Sequence, residues 1–425
     1  MMCMAGLAAA MLQPACVNAQ NSGGPAQEVR PCPAGLDSIA TCHAGRDANG
    51  AWLLTAIPKQ WNHILVVHAH GGPRLGVPKS DDGEEDLERF AAMVRQGYAW
   101  TGSTYRRGGY GVRMAAADVD ESRKLFWQQF GKPQLTILHG QSYGGNVAAK
   151  LAELGTTDAT GNRLYDGVLL TNGVLWGGTK AYGFRADLRA VYQYFCRNHP
   201  RPDEPQYPLW QGLARESQMT RAELERRVND CTGVNLPKDQ RSAEQVRRVT
   251  AITGATGIAE DQLQRHLEWA TFTFRDLVHE RLGSRNPFDN SQTTYRGSGT
   301  DVELNRAVER FVADPKAVTQ LAYDSDLTGL ISAPTIALHW RGDPIVSPAG
   351  DRYYEDLVGQ KHLSGLFVRL VSAKGSHSRL PEPDLIAALT SLVGWIKQGA
   401  APDHAVILDQ CKSYAASFNA GCTLE

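Results

Sequence analysis

A serine set among glycines, directly after an apolar run, is the part of this sequence best suited to chemistry. Residues 135–138 are mostly apolar, and residues 140–144 read GQSYG, with Ser142 at the centre. A chain with 42 glycines contains about 0.2 such G-x-S-x-G matches by chance, so only the context makes the motif specific. A sharp turn between a strand and a helix lifts such a serine oxygen above a sheet. We therefore predict that Ser142 is a nucleophile and not merely the cap of the following helix.

A serine nucleophile needs a base, and the base needs an orienting acid. Asp343 follows a predicted strand that ends near Trp340, and His377 follows the next predicted strand. Loops that leave the carboxyl ends of parallel strands meet at one edge of the sheet, so the three side chains are expected to converge. The alternatives are that Asp343 is a turn residue before proline and that His377 lies on the surface. His404 is the only later histidine.

The same chemistry needs two backbone donors for a developing oxyanion. The N–H of Tyr143, directly after the serine, is the first candidate. The second is expected from the loop that follows the early strand at 64–67, where His70-Gly71-Gly72-Pro73 lets the backbone approach a substrate. We predict Gly71 or Gly72 as this donor, with a simple tight turn as the alternative.

Apolar strands that alternate with helices predict an α/β fold. Wholly apolar strands are typical of a mostly parallel sheet with helices on both faces. The predicted strands are 39–46 and 51–58 (a hairpin), 64–67, 98–104, 135–138, 167–171, 335–338 and 366–370, and the predicted core helices are 112–130, 146–154 and 384–397. Between 177 and 327 the chain is polar and helical, with capping boxes at Thr220 and Ser242. Helical spacing from Leu263 to Leu277 predicts one further helix there.

These patterns divide the chain into five parts. They are a signal peptide (1–19), the first part of an α/β core (20–176), a helical cap insertion (177–327), the second part of the core (328–400) and a C-terminal tail (401–425). Residues 4–12 are apolar but too short to span a bilayer, and Val17-Asn18-Ala19 offers a small-residue cleavage site. The first basic residue is Arg30, so the positively charged start of a signal peptide is missing. An earlier translation start would supply it. A lipid anchor on Cys16 is an alternative that the preceding Gln-Pro-Ala fits poorly.

Six cysteines follow the predicted signal peptide, and an even number is typical of disulfide-bonded exported proteins. Sequence alone does not choose among their pairings, and six free thiols are the alternative. Their grouping suggests the simplest set, which is Cys32–Cys42, Cys196–Cys231 and Cys411–Cys422. None of them forms a C-x-x-C pair, so no zinc site is predicted. We therefore expect a periplasmic or secreted protein.

Charge and composition exclude some classes of protein. The formal net charge is −1 over 425 residues, with no long run of like charges. This argues against a protein that binds nucleic acid or an acidic membrane surface. No metal or organic cofactor, no membrane span and no particular oligomeric state is predicted.

Taken together, the motifs resemble the α/β-hydrolase superfamily over residues 36–175 and 328–398. The His-Gly-Gly-Pro loop and Gly-x-Ser-Tyr-Gly-Gly also resemble prolyl-oligopeptidase-like and proline-iminopeptidase-like peptidases. Tannase-like and feruloyl-esterase-like enzymes carry cysteines where this chain has Gln141 and Ser378. The resemblance implies a serine hydrolase with Ser142 as nucleophile, His377 as base and Asp343 as the orienting acid. A carboxylic-ester hydrolase for small-molecule esters is the first expectation. An exopeptidase for short peptides and a non-catalytic binding protein are the alternatives.

Two weaker signals concern a substrate pocket. Tyr105-Arg106-Arg107 follows a predicted strand and offers an arginine for a substrate carboxylate, although a solvated surface pair is the simpler interpretation. Trp176, Trp210 and Trp269 lie at or in the predicted cap. They would either line an apolar acyl pocket or pack within the cap.

Overall fold

The apolar runs form nine strands of a single sheet. The structure is a computed structural model that describes residues 26–425, so the predicted signal peptide lies outside the described residues. The strands are β1 (Glu28–Arg30), β2 (Ala40–Arg46), β3 (Trp52–Pro58), β4 (Ile64–Ala69), β5 (Ala99–Ser103), β6 (Leu135–Gln141), β7 (Gly167–Thr171), β8 (Thr335–Trp340) and β9 (Phe367–Ser372). Their order across the sheet is β1-β2-β3-β5-β4-β6-β7-β8-β9.

The sheet is mostly parallel. The pairs β1–β2, β2–β3 and β3–β5 are antiparallel, and the five pairs from β5–β4 to β8–β9 are parallel. Because β6 lies between β4 and β7, the turn that carries Ser142 emerges near the middle of the sheet. The loops after β8 and β9 leave the same edge. The predicted α/β class with a mostly parallel sheet is therefore confirmed.

Helices cover both faces of the sheet. They are α1 (Glu84–Arg89), α2 (Ala91–Arg95), α3 (Val112–Phe130), α4 (Tyr143–Leu154), α5 (Gly177–Ala181), α6 (Gly183–Cys196), α7 (Arg221–Thr232), α8 (Ala243–Thr256), α9 (Leu263–Glu268), α10 (Asp301–Ala307), α11 (Pro315–Ser325), α12 (Ala349–Gln360), α13 (Glu382–Gln398) and α14 (His404–Phe418). Side chains of β4 alternate between two cores. Leu65 and Val67 pack in the core with α3 and α4, and Ile64 and Val66 pack in the core with α2 and α13. Each face of the sheet is thus buried under helices.

The segment between β7 and β8 is helical, from α5 to α11. The helix predicted over 263–277 is not a single α-helix. It begins as α9 and continues as two π-helical stretches, Trp269–Thr273 and Asp276–Arg281. The apolar residues that suggested the helix are all fully buried, so their spacing indicates the buried face but does not distinguish a π-turn from an α-turn.

The C-terminal tail packs on the core. Helix α14 lies against α13, and the last residues run beside β9, where Ala373 N–H donates to Thr423 O over 2.8 Å. The six cysteines lie as three disulfide pairs, Cys32–Cys42, Cys196–Cys231 and Cys411–Cys422, with Cα–Cα distances of 5.1, 5.6 and 5.4 Å. Among residues 26–425, no helix combines the length and apolar character that a membrane crossing requires.

Candidate active site

Ser142 occupies a strained turn between β6 and α4. Its φ of 58° and ψ of −121° lie outside the regions that residues with a Cβ ordinarily adopt. The neighbouring glycines are required by close packing. A Cβ on Gly140 would lie 2.1 Å from Gly144 O, and one on Gly144 would lie 2.0 Å from Ala69 O. The glycines therefore allow the tight turn that holds the serine at the end of the strand.

Ser142, His377 and Asp343 form a continuous hydrogen-bonded chain. Ser142 Oγ lies 2.8 Å from His377 Nε2, and His377 Nδ1 lies 2.7 Å from Asp343 Oδ2. The three residues are 7–8% exposed, so the chain is largely shielded from water and yet reachable at the serine. The structure thus brings together the three side chains that the sequence singled out, although they are up to 235 residues apart.

The carboxylate of Asp343 is held by four donors. Its Oδ1 accepts the backbone N–H groups of Ile345 (2.8 Å) and Val346 (3.1 Å). Its Oδ2 faces His377 and also lies 3.4 Å from His339 Nε2. Burial alone raises the pKa of Asp343, but hydrogen bonds from His339 and His377 outweigh it and hold the pKa well below its usual range. The carboxylate therefore stays ionised in a buried position.

His339 is a buried cation behind this carboxylate. It lies on β8, and its Nδ1 is 2.9 Å from Asp351 Oδ1. Burial lowers the pKa of His339, whereas the charges of Asp351 and Asp343 raise it, and the result is a pKa of about 10. The protonated imidazole of His339 stabilises the carboxylate of Asp343 as an anion, at the same Oδ2 that faces His377.

Two of the predicted oxyanion donors, Tyr143 and Gly71, lie next to Ser142. Tyr143 is the first residue of α4, where a backbone N–H has no intrahelical acceptor. Gly71 is the nearer of the two loop glycines, since a Cβ built on it would lie 3.6 Å from Ser142 Cβ. Gly72 adopts a φ of +155° and lies against Arg74 instead. The placement of Gly71 beside the serine makes it the better candidate of the two.

Gln141 fixes the loop that carries His377. Its side-chain Nε2 donates to His377 O over 2.8 Å, and Asn172 Nδ2 donates to the same carbonyl over 2.9 Å. Gln141 stands directly before Ser142, so the same residue borders the serine turn. Hydrogen bonds from two amides thus connect the histidine loop to the ends of β6 and β7.

A cavity of about 440 Å³ opens above Ser142 and His377. This size is typical of small-molecule sites. Residues of the helical segment 177–327 form one wall, with Tyr182, Phe184 and Trp269 among them, and Trp176 borders it. Tyr182 and Trp269 stack at a centroid distance of 4.3 Å. The cavity therefore combines a polar floor at the serine with aromatic walls.

The weaker sequence signals separate into two groups. Trp176 and Trp269 line the cavity, but Trp210 does not. Arg106 is paired with the buried carboxylate of Asp118 and is not among the cavity-lining residues. Within residues 26–425, one group of side chains has the spacing of metal ligands, namely Asp384, Cys411 and Cys422. The sulfurs of the two cysteines are joined in a disulfide.

Two features of the site are not predictable from local sequence patterns. One is the His339–Asp351 pair, for which the only signal is a histidine within an otherwise apolar strand. The other is Arg185, which lines the cavity. It lies in a segment that contains many arginines. No local pattern distinguishes it from its neighbours.

The sheet order, the helices on both faces and the serine turn after β6 define the α/β-hydrolase fold. The chain is similar to the rice cell wall degrading esterase LipA from Xanthomonas oryzae, with 12% identity, a TM-score of 0.40 and coverage of 84% of this chain and 89% of that one. It is also similar to feruloyl esterase B from Aspergillus oryzae, with 14% identity, a TM-score of 0.45 and coverage of 89% and 86%. An acylaminoacyl peptidase matches with 10% identity, a TM-score of 0.37 and coverage of 91% and 42%. No protein-family model and no curated protein matches the chain.

Proposed function

We propose that this protein is a serine hydrolase that cleaves carboxylic esters of small molecules through Ser142, His377 and Asp343. The observation that carries the proposal is the chain of short hydrogen bonds from the strained Ser142 through His377 to Asp343, 2.8 and 2.7 Å long. A serine hydroxyl is a weak nucleophile at neutral pH, and an oriented imidazole is what activates it.

The chemistry proceeds in two halves. Ser142 Oγ attacks the ester carbonyl while His377 Nε2 takes its proton, and Asp343 stabilises the imidazolium that results. The backbone N–H groups of Tyr143 and Gly71 bind the oxyanion, and one such donor is typically worth about 3 kcal/mol. His377 then protonates the leaving alcohol, which leaves an acyl-enzyme. Water, deprotonated by the same imidazole, attacks the acyl-enzyme carbonyl, and His377 returns the proton to Ser142 Oγ as the acid leaves.

The charges of the cavity argue against the alternative, an aminopeptidase-like exopeptidase. An aminopeptidase needs a free carboxylate to bind the amine of its substrate. Among the described residues, Glu85 is the single acid that lines the cavity, and Arg74 and Arg89 already pair with it. No acidic residue of the segment 177–327 is among the lining residues.

The cellular location belongs to the same proposal. Three pairs of cysteines at disulfide distance support folding in an oxidising compartment, which is the periplasm or the exterior of a cell. The predicted signal peptide would direct the protein to that compartment.

A fluorophosphonate probe tests the nucleophile. We expect the probe to label the native protein and not the Ser142→Ala variant, because only an activated serine reacts. Ser347→Ala is the matched control, since Ser347 borders the same cavity but makes no hydrogen bond to His377 among the described contacts. Equal labelling of the native protein and Ser142→Ala would refute the assignment. Hydrolysis of 4-nitrophenyl esters but not of aminoacyl 4-nitroanilides would support the ester over the peptide.

A further inference from the structure

The cavity carries an excess of positive charge. Five of its lining residues are cationic and one, Glu85, is acidic; the cations are Arg74, Arg89, Lys180, Arg185 and Arg265. Glu85 pairs with Arg74 and Arg89. The remaining three cations lie on the wall formed by the segment 177–327, which contributes no acid to the cavity lining.

Arg185 is a buried cation without an anionic partner. It is 4% exposed, and no carboxylate of the described residues lies within salt-bridge distance of its guanidinium. Its Nε donates to His266 Nδ1 over 3.1 Å, and one Nη donates to Ile345 O over 3.3 Å. The other Nη has no hydrogen-bond partner in the part of the chain that the structure describes. Burying a charge without a counter-ion is costly, so the site is more stable with an anion in the cavity.

The partners of Arg185 are neutral. Burial, and after it the charge of Arg185, lower the pKa of His266 to about 3. His266 is therefore uncharged, accepts from Arg185 at Nδ1 and donates from Nε2 to Pro344 O over 3.1 Å. The guanidinium also lies over the ring of Trp269 at 4.6 Å from its centroid. These contacts hold the arginine in place without neutralising it.

Arg265 adds a second unpaired charge to the same wall. It is exposed, it lines the cavity, and no salt bridge forms from it among residues 26–425. Burial lowers the pKa of Arg185 to about 10, and Arg265 is close enough to contribute to that shift. Both cations line the same cavity, and an anion bound between them would reduce their mutual repulsion.

We propose that Arg185 and Arg265 form a carboxylate subsite, and that the substrate is an ester that also carries a free carboxylate on an apolar or aromatic body. This inference rests on the proposed ester hydrolysis. A guanidinium fork matches the two oxygens of a carboxylate, and the stacked rings of Tyr182 and Trp269 offer an apolar surface next to it. Arg185 also donates to Ile345 O, directly beside the loop of Asp343, so the bound anion lies within the same cavity as the reacting serine.

A matched pair of esters tests the subsite. 4-Nitrophenyl hydrogen glutarate and 4-nitrophenyl valerate have acyl chains of equal length, and only the first carries a carboxylate. We expect kcat/KM of the native protein to be at least about tenfold higher for the glutarate, the effect of one charge-assisted hydrogen bond. Arg265→Gln should bring this ratio close to one. Because Arg265 is exposed, this variant tests the subsite even where Arg185→Gln does not fold.

Arg352→Gln is the control, since Arg352 is exposed and does not line the cavity. It should keep the native ratio. Equal hydrolysis of the two esters by the native protein, or an equal loss for both in Arg265→Gln, would overturn the subsite and leave the ester hydrolase intact.

Protection from the fluorophosphonate probe separates the two proposals further. Glutarate should slow labelling of the native protein more than labelling of Arg265→Gln, and equal protection would overturn the subsite. Absence of labelling in the native protein would instead contradict the proposed function itself.

Discussion

The side chains around Ser142 show how the carboxylate of Asp343 and the imidazole of His339 remain charged although both are buried. Asp343 Oδ2 lies 2.7 Å from His377 Nδ1 and 3.4 Å from His339 Nε2, and Asp351 lies beside the other nitrogen of His339. Each ionised group faces an opposite charge, which is the condition for burying ions at acceptable cost. The orientation of His377 therefore depends on His339, which lies three contacts away from Ser142.

Replacing His339 should change how the stability of the protein depends on pH. The imidazole has a pKa of about 10 in the fold and 6.5 as its ordinary value, so its charged form stabilises the native state fully below about pH 6.5. Above that pH the folded protein binds the extra proton, and this stabilisation is lost as the pH rises through about 10, by at most about 1.4 kcal/mol per pH unit. We expect the free energy of unfolding of the native protein to exceed that of His339→Gln most at about pH 6.5 and below.

Urea unfolding at several pH values between about 6 and 10 measures this difference. The gap between the native protein and His339→Gln should shrink as the pH rises. His362→Gln, a change at an exposed histidine, should follow the native curve throughout. A gap that stays constant with pH would show that His339 contributes packing but no charge.

At the scale of elements, the parallel sheet explains which residues sequence analysis located. Ser142, Asp343 and His377 each follow a strand that is recognisable from its apolar run, and parallel strands deliver their loops to one edge. Arg185 and His339 were missed because their roles depend on contacts between distant elements. The burial of Arg185 depends on α6 packing beside α9 and the loop of Ile345, which no local spacing encodes.

The serine turn leaves no space for a side chain at Gly144. A methyl group there would lie 2.0 Å from Ala69 O, so the turn and β4 must separate. We expect Gly144→Ala to lower the free energy of unfolding by at least about 3 kcal/mol and to abolish probe labelling. Gly394→Ala is the matched control, because Gly394 lies within α13 with no atom within 4 Å of the added Cβ. It should raise the free energy of unfolding by up to about 1 kcal/mol. Equal effects of the two changes in thermal denaturation would contradict the tight turn.

At the scale of the whole molecule, the disulfides connect elements that are close in sequence. Cys32–Cys42 holds the start of the sheet, Cys196–Cys231 joins the end of α6 to α7, and Cys411–Cys422 closes the tail over α13. None of the three connects the helical segment 177–327 to the sheet. Contacts such as those of Arg185 with the loop of Ile345 therefore hold that segment over the serine.

The lengths of the three disulfide loops predict a ranking of their contributions to stability. Their sequence separations are 10, 35 and 11 residues. In the chain-entropy account, the Cys196–Cys231 disulfide raises the free energy of unfolding by about 4 kcal/mol, and each of the two shorter disulfide loops raises it by about 3 kcal/mol. Replacing Cys196 and Cys231 together with alanine should therefore lower the free energy of unfolding more than replacing Cys32 and Cys42. Mass spectrometry of the protein purified without reductant should first show three cross-linked peptide pairs, since six free thiols would contradict both the ranking and the proposed oxidising compartment. An equal or reversed ranking in urea unfolding, with all cross-links intact in the native protein, would show that strain or residual structure outweighs loop entropy.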